Sequence, residues 1–116
     1  MLGVCLGHQA ICEVFGATIT YAKKLQHGKM SIAEIDTNNK IFKGLPERIE
    51  VGRYHSLAAD EKTIPQCLKV IARSADGEIM AVRHEKYEIY GLQFHPESIL
   101  TKYGKEIIAN FMEKGE

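Results

Sequence analysis

The sequence lacks an excess of charge of either sign, because its 15 basic and 15 acidic side chains cancel. A chain with no net positive field has no electrostatic basis for binding nucleic acid or an anionic membrane. It also lacks an apolar run long enough to span a bilayer, and no signal-peptide pattern opens it. These absences argue against nucleic acid or a membrane as a partner and predict a cytoplasmic location.

Cysteine is also scarce, and its distribution argues against a disulfide framework. The three thiols, Cys5, Cys12 and Cys67, are odd in number and have no framework spacing. A reducing compartment is therefore expected, with Cys12 and Cys67 as structural thiols. The sequence contains no internal repeat or low-complexity linker, so a single domain with one core is predicted.

The glycines around Cys5 predict a nucleophile at a sharp turn. Gly3 and Gly7 lie two residues before and after it, and a Cβ at either flank is expected to collide with the neighbouring backbone in a strand-to-helix turn. The following helix would point its unpaired N–H groups at the sulfur and favour the thiolate. Cys5 is predicted to be a covalent catalyst, although the pattern alone also fits a small buried residue beside a turn.

A histidine and a carboxylate follow an apolar stretch near the other end of the sequence. In residues 91–98, Pro96 separates His95 from Glu97 and biases His95 towards an extended backbone. The imidazole and the carboxylate can then lie on the same side of a tight bend. Together with Cys5 they would supply a nucleophile, a base and a group that orients the base, which must meet in space rather than in sequence.

Periodicity predicts helices at residues 8–15 and 102–114. Gly16 is expected to end the first helix, and residues 41–42 to lie in or near a short helical turn. Asp76 and Gly77 predict a hairpin turn, and residues 54–65 are expected to form a loop. The predicted strands cover residues 1–4, 17–22, 30–35, 48–54, 67–74, 78–84 and 87–94.

The motifs together resemble the class I, or triad, glutamine amidotransferases. Residues 3–9 and 94–98 reproduce that family's nucleophile elbow and His-Pro-Glu signature. Residues 26–29 and 54–57, with the extension at 97–101, are similar to the glutaminase component of anthranilate synthase and to its relative in 4-amino-4-deoxychorismate synthesis. The resemblance runs the length of the chain and implies the flavodoxin-like, three-layer α/β sandwich of that family.

The same resemblance implies that the N-terminal part of the domain is absent. In the family the elbow follows earlier strands and a glycine-rich loop that supplies part of the oxyanion hole. A parallel strand also needs burial in the middle of a sheet, and only residues 1–4 precede Cys5. Residues 1–116 are therefore expected to be the C-terminal portion of a single glutamine amidotransferase domain, and exposed sheet edges could pair with a second copy.

The activity implied by the resemblance is the hydrolysis of L-glutamine to release ammonia, without a metal or cofactor. Cys5 would attack the side-chain amide and form a γ-glutamyl thioester. His95 would accept the thiol proton, or stabilise an existing thiolate, and then protonate the leaving ammonia. Glu97 would orient His95, and the Leu6 N–H would donate to the oxyanion.

The resemblance also assigns binding residues and a partner. It places Gln9 and the Ser56–Leu57 backbone around the head group of glutamine. The ammonia would pass to a chorismate-binding synthase subunit, most simply for anthranilate synthesis. His27 and Lys29 are candidates for the contact with that subunit.

Alternative functions remain at this point. The same chemistry could serve 4-amino-4-deoxychorismate or GMP synthesis, or a truncated chain could bind a partner without hydrolysing glutamine. A metal site is another alternative, because Cys5, His8 and Cys12 lie close in sequence and His95 could add a fourth ligand. Their spacing does not repeat a known zinc pattern.

Overall fold

The computed structural model describes residues 1–21, 29–53, 57–98 and 100–112. In these ranges two α-helices and eight strands form, together with short 3-10 helices at Lys40–Phe42 and Glu61–Thr63. In chain order the main elements are β1 (Leu2–Val4), α1 (Leu6–Val14), β2 (Ile19–Tyr21), β3 (Lys29–Ile35), β4 (Arg48–Arg53), β5 (Leu57–Ala59), β6 (Leu68–Ser74), β7 (Ile79–His84), β8 (Tyr90–Leu92) and α2 (Gly104–Met112).

The main sheet has six strands in the order β1-β8-β7-β6-β3-β4. Strands β1 and β8 run parallel, with Val4 opposite Leu92, and the other pairs of this sheet run antiparallel. Strands β2 and β5 form a separate antiparallel pair. The predicted α/β fold class is confirmed.

Apolar side chains pack on the sheet in two clusters, and the two helices contribute to different ones. The first cluster joins strand residues to α2 and to the 3-10 helix at Lys40–Phe42, around Phe94 and Ile107. The second joins α1 to β5 and β7, through Cys12, Ala59 and others. Because each helix covers its own cluster, the sheet lies between two layers, as the sandwich prediction requires.

Most predicted elements form, with shifts at their ends. Helix α1 begins at Leu6, two residues before the predicted start, because the turn at Cys5 leads straight into it. Gly16 follows this helix with a φ of 109°, as expected of a C-terminal glycine. The predicted strand at 87–94 shortens to β8, and β5 forms within the predicted loop at 54–65. The end of the second predicted helix, residues 113–114, lies outside the described residues.

The turn from β1 into α1 needs a glycine at only one of its two flanks. A Cβ on Gly3 would lie 2.6 Å from the carbonyl carbon of Gly7 and 2.8 Å from Cδ1 of Ile11. A Cβ on Gly7 would meet no described atom within 4 Å, so the prediction of a collision there is wrong. The backbone of Gly7 fills the space beside Gly3, whereas the Cβ position of Gly7 itself faces open space.

Among the described residues, β1 has a strand neighbour on one side only. A groove of about 400 Å³ lies between this strand and α1, and its lining includes Met1, Ile11, Val14 and Phe15. Self-association through this edge stays a prediction.

Candidate active site

Cys5 occupies a strained turn that two backbone hydrogen bonds hold in place. Its φ of 53° is the only positive value among described residues other than glycine, and side chains disfavour this region. Its N–H donates to the carbonyl of Leu92 on β8 at 2.7 Å, and its carbonyl accepts from Gln9 N–H at 3.0 Å. The turn is therefore attached both to the neighbouring strand and to the first turn of α1.

The parallel pairing of β1 with β8 places Cys5 and His95 at the same edge of the sheet. Cys5 is the first residue after β1, and His95 follows the end of β8 by three residues. Because Val4 lies opposite Leu92, the chain leaves both strands at the same level. The carboxyl ends of neighbouring parallel strands are the usual position of binding sites in α/β proteins.

His95 and Glu97 form a direct pair. The Nδ1–H of His95 donates to Oε2 of Glu97 at 2.6 Å. Burial opposes ionisation of Glu97, but its own backbone N–H and the His95 ring lower the pKa of the carboxyl below its usual range. An ionised carboxylate can only accept, so Nδ1 carries the proton and Nε2 is the basic nitrogen of the neutral ring.

The loop that carries His95 is fixed to β4 through Thr101. The hydroxyl of Thr101 donates to the carbonyl of His95 at 2.7 Å and accepts from Gly52 N–H at 2.9 Å. The N–H of His95 also donates to the carbonyl of Gly52 at 3.3 Å. A Cβ on Gly52 would lie 2.9 Å from the hydroxyl oxygen of Ser98, which explains the glycine at this close approach. The only sequence signal for Thr101 was its position in the 97–101 extension.

Two glutamine side chains connect the sulfur to β5. Gln9 Nε2 donates to the carbonyl of Leu57 at 3.0 Å and to Oε1 of Gln93 at 3.3 Å. Gln93 Nε2 donates to Sγ of Cys5 at 3.7 Å. The structure thus links the predicted residues Gln9 and Leu57 to Cys5 through a chain of hydrogen bonds. Gln93 was not among the predicted site residues, because its only signal was its place inside the 91–98 segment.

The environment of the Cys5 sulfur differs from the prediction. Burial raises the pKa of the thiol above its ordinary value, the Leu6 N–H lowers it, and the negative charge of Glu97 raises it again. The helix terminus therefore acts in the expected direction, but the expectation that it favours the thiolate overall is wrong because desolvation outweighs it. A thiol in this state needs a base to become a nucleophile.

The metal alternative has little support in the packing around α1. His8 and Cys12 are both buried, with the imidazole Nε2 3.9 Å from the Cys12 sulfur. In the part of the chain that the structure describes, no three His, Cys, Asp or Glu side chains form a cluster suited to a metal ion.

Some predicted site residues are only partly described. Ser56 and His27 lie outside the described residues, and Lys29 is described as the first residue of β3 without its side chain. The Leu6 side chain is exposed next to Cys5. None of the described helices is long and apolar enough to cross a membrane. The cytoplasmic location stays a prediction.

Comparison with known proteins identifies the family of this chain. A family model described as glutamine amidotransferase class-I matches residues 1–114. The chain is 51% identical over 114 residues to aminodeoxychorismate synthase component 2 of Klebsiella aerogenes, covering 98% of this chain and 60% of that protein. It is 50% identical over 113 residues to aminodeoxychorismate/anthranilate synthase component 2 of Bacillus subtilis, covering 97% of this chain and 58% of that protein.

A solved structure shows the same architecture. The crystal structure of a proposed GMP synthase component from Thermoplasma acidophilum superposes with a TM-score of 0.87 at 34% identity, covering 95% of this chain and 54% of that one. This agreement confirms the predicted class I glutamine amidotransferase fold. The chain spans 60% and 58% of the two curated relatives, and its assignment as the C-terminal portion of a single domain stays a prediction.

Proposed function

The chain belongs to the class I glutamine amidotransferase family, and we propose that it carries the glutaminase site of an anthranilate or aminodeoxychorismate synthase. The observation that carries this proposal is the position of Cys5 and His95 just beyond the paired ends of β1 and β8, with Glu97 bonded to the imidazole. The names of the two relatives, each similar over nearly the whole chain, support the choice of synthase.

The first half of the reaction forms a thioester. The sulfur of Cys5 attacks the γ-carbonyl carbon of glutamine while Nε2 of His95 takes the thiol proton. The carbonyl oxygen becomes an oxyanion, to which the Leu6 N–H donates. The intermediate then collapses, the carbon–nitrogen bond breaks, and the imidazolium returns its proton to the departing nitrogen. Ammonia leaves, and a γ-glutamyl thioester remains on Cys5.

The second half releases glutamate. A water molecule attacks the thioester carbonyl as Nε2 of His95 takes one of its protons, and the carbon–sulfur bond of the resulting intermediate breaks. The imidazolium returns this proton to the sulfur, which regenerates the thiol. Throughout, the Glu97 carboxylate stabilises the cationic form of His95. This base-dependent mechanism suits a thiol whose pKa burial has raised.

The substrate position follows from the residues around the sulfur. Gln9, held against the carbonyl of Leu57, would contact the head group of glutamine, together with the Ser56–Leu57 backbone. The ammonia would aminate chorismate on the synthase partner, with His27 and Lys29 as candidate contacts. The structural similarity to a proposed GMP synthase component favours GMP synthesis as the second candidate, but the identity of that protein to the chain is lower.

The test uses the complete component 2 assembled with its chorismate-binding partner. Cys5→Ser removes the nucleophile, so glutamine-dependent product formation should fall on the order of a thousandfold or more, while synthesis from added ammonia stays unchanged. Cys67→Ser is the matched control and should leave both activities intact. Equal loss of both activities in Cys5→Ser, or survival of the glutamine-dependent one, would overturn the proposal.

A further inference from the structure

A chain of hydrogen bonds runs from β5 to the Cys5 sulfur, and its direction is fixed at one end. A backbone carbonyl can only accept, so Leu57 requires Gln9 to present its amide nitrogen. The same nitrogen donates to Gln93, which must therefore present its oxygen to Gln9. The nitrogen of Gln93 is left facing Cys5, 3.7 Å from the sulfur.

The burial of Gln93 makes this arrangement costly to disturb. Its side chain is fully buried, as are those of its neighbours Leu92 and Phe94. A buried amide without partners loses its hydrogen bonds to water and gains none in return, so the contacts at both ends of Gln93 maintain its orientation. Rotating the amide by half a turn would bring its oxygen to the sulfur and set its nitrogen against the nitrogen of Gln9. The amide therefore has one favourable orientation.

The amide N–H of Gln93 points at the Cys5 sulfur, the atom on which negative charge develops when the thiol ionises. Burial and the Glu97 carboxylate both oppose a negative sulfur, and the Leu6 N–H favours one. A second N–H donor at the sulfur would also be stronger toward a thiolate than toward a thiol, because hydrogen bonds to charged groups are stronger than neutral ones. Gln93 is thus placed to lower the free energy of the thiolate relative to the thiol.

On the basis of the proposed function, we propose that Gln93 has two roles in this reaction. Its amide nitrogen donates to the Cys5 sulfur as the sulfur ionises, and its oxygen positions Gln9 against Leu57 for binding the substrate. The first role concerns the nucleophile, and the second concerns the affinity for glutamine. The two roles can be separated by substitutions at the two glutamines.

The test measures the rate at which iodoacetamide alkylates Cys5 in the complete component 2 across a range of pH, with the modified residue identified by peptide mass mapping. Gln93→Met keeps the approximate length of the side chain and removes both polar ends. Losing the donor should slow alkylation of Cys5 at neutral pH about fivefold to tenfold, equivalent to about 1 kcal/mol or somewhat more. The midpoint of the pH profile should move upward.

Gln9→Met is the comparison variant, because it removes the bonds of Gln9 to Leu57 and to Oε1 of Gln93 but keeps the Gln93 amide beside Cys5. It should slow alkylation of Cys5 less than Gln93→Met does, because the amide can still donate although its orientation is no longer fixed, and it should weaken the protection that added glutamine gives. Slow alkylation of Cys12 in each variant reports that the fold is intact. If Gln93→Met does not fold, Gln93→Asn keeps an amide, withdraws it from the sulfur, and should slow alkylation in the same direction but less.

An unchanged profile of Cys5 in a folded Gln93 variant would overturn this proposal. The readout does not depend on hydrolysis of glutamine, so it separates the two claims. A shifted alkylation profile in Gln93→Met, together with failure of the unmodified protein to hydrolyse glutamine, would support the donor role of Gln93 and count against the proposed function. Hydrolysis of glutamine by the unmodified protein, together with an unshifted alkylation profile in Gln93→Met, would support the proposed function and count against the donor role.

Discussion

The two ends of α1 carry cysteines in opposite settings. Cys5 lies at the beginning of the helix in a left-handed turn, partly accessible, with the Leu6 N–H and the Gln93 amide at its sulfur. Cys12 lies two turns later in an apolar cluster beside His8, where burial raises the pKa of its thiol to about 11. The difference predicts that position on the helix, rather than the presence of a thiol, determines which cysteine reacts.

The largest expected effect comes from removing His95, the proposed base. Cys5 has this base near it and Cys12 does not, so its removal should abolish the main chemical difference between the two thiols. In His95→Ala, no group takes the proton of a thiol that burial keeps neutral, so the rate of glutamate release should fall on the order of a thousandfold or more. The measurement is glutamate release by the complete component 2 with its synthase partner. Synthesis from ammonia is the control and should stay intact. Retention of most of the glutaminase rate would refute the role of His95.

A smaller effect should follow from adding a methyl group beside the turn. Gly3→Ala forces a Cβ against the backbone of Gly7, and overpacking of this kind typically costs about 1–3 kcal/mol. Gly7→Ala is the control, because the added Cβ meets open space within a helix and should leave stability equal or higher by about 0.5–1 kcal/mol. Urea unfolding of the two variants measures the difference. Equal stabilities would contradict the described turn.

The pH dependence of alkylation should distinguish the two thiols without any substitution. Both pKa values are raised, so both thiols are protonated at neutral pH, and alkylation should accelerate as the pH rises. Cys5 should begin to react at lower pH than Cys12, whose midpoint should lie near 11 unless access limits it. Peptide mapping across a pH series provides the measurement. Coincident profiles would remove the distinction between the two sites.

The smallest effect concerns the charge of Glu97 at the sulfur. This charge raises the pKa of the Cys5 thiol, so Glu97→Gln should shift the alkylation profile of Cys5 slightly to lower pH. The same substitution should lower the glutaminase rate, because the amide no longer stabilises the imidazolium. A faster alkylation together with a slower hydrolysis is the expected pair of results. A profile shifted to higher pH would contradict the assignment of this charge.

The sequence predicted those parts of the site whose geometry is local. Gly3 permits the close approach of the Gly7 backbone and Pro96 restricts the backbone next to His95, so the elbow and the His95 bend were recognisable from nearby residues. The hairpin at Asp76 and Gly77 was predicted for the same reason. The placement of Cys5 and His95 at one edge of the sheet depends instead on the parallel pairing of β1 with β8. No local pattern specifies this pairing, and the sequence analysis required only that the three residues meet in space.

Other features depend on packing and were not predictable from the sequence. Strand β5 has three residues, and among the described residues its strand partner is β2, which is distant in sequence. The orientation of Gln93 depends on the carbonyl of Leu57, which is distant in sequence. The sign of the pKa shift at Cys5 depends on how much water the fold removes from the sulfur, and helix-terminus reasoning alone gave the wrong sign.

We propose that Cys5, alone among the three thiols, lies in a site that binds glutamine. It can be tested by treating the complete component 2 with a chloroketone analogue of glutamine and mapping the labelled peptides over time. We expect rapid labelling of Cys5, suppression of that labelling by added glutamine, and slow labelling of Cys12 and Cys67. Labelling of Cys5 no faster than that of the other two thiols, with no protection by glutamine, would contradict it.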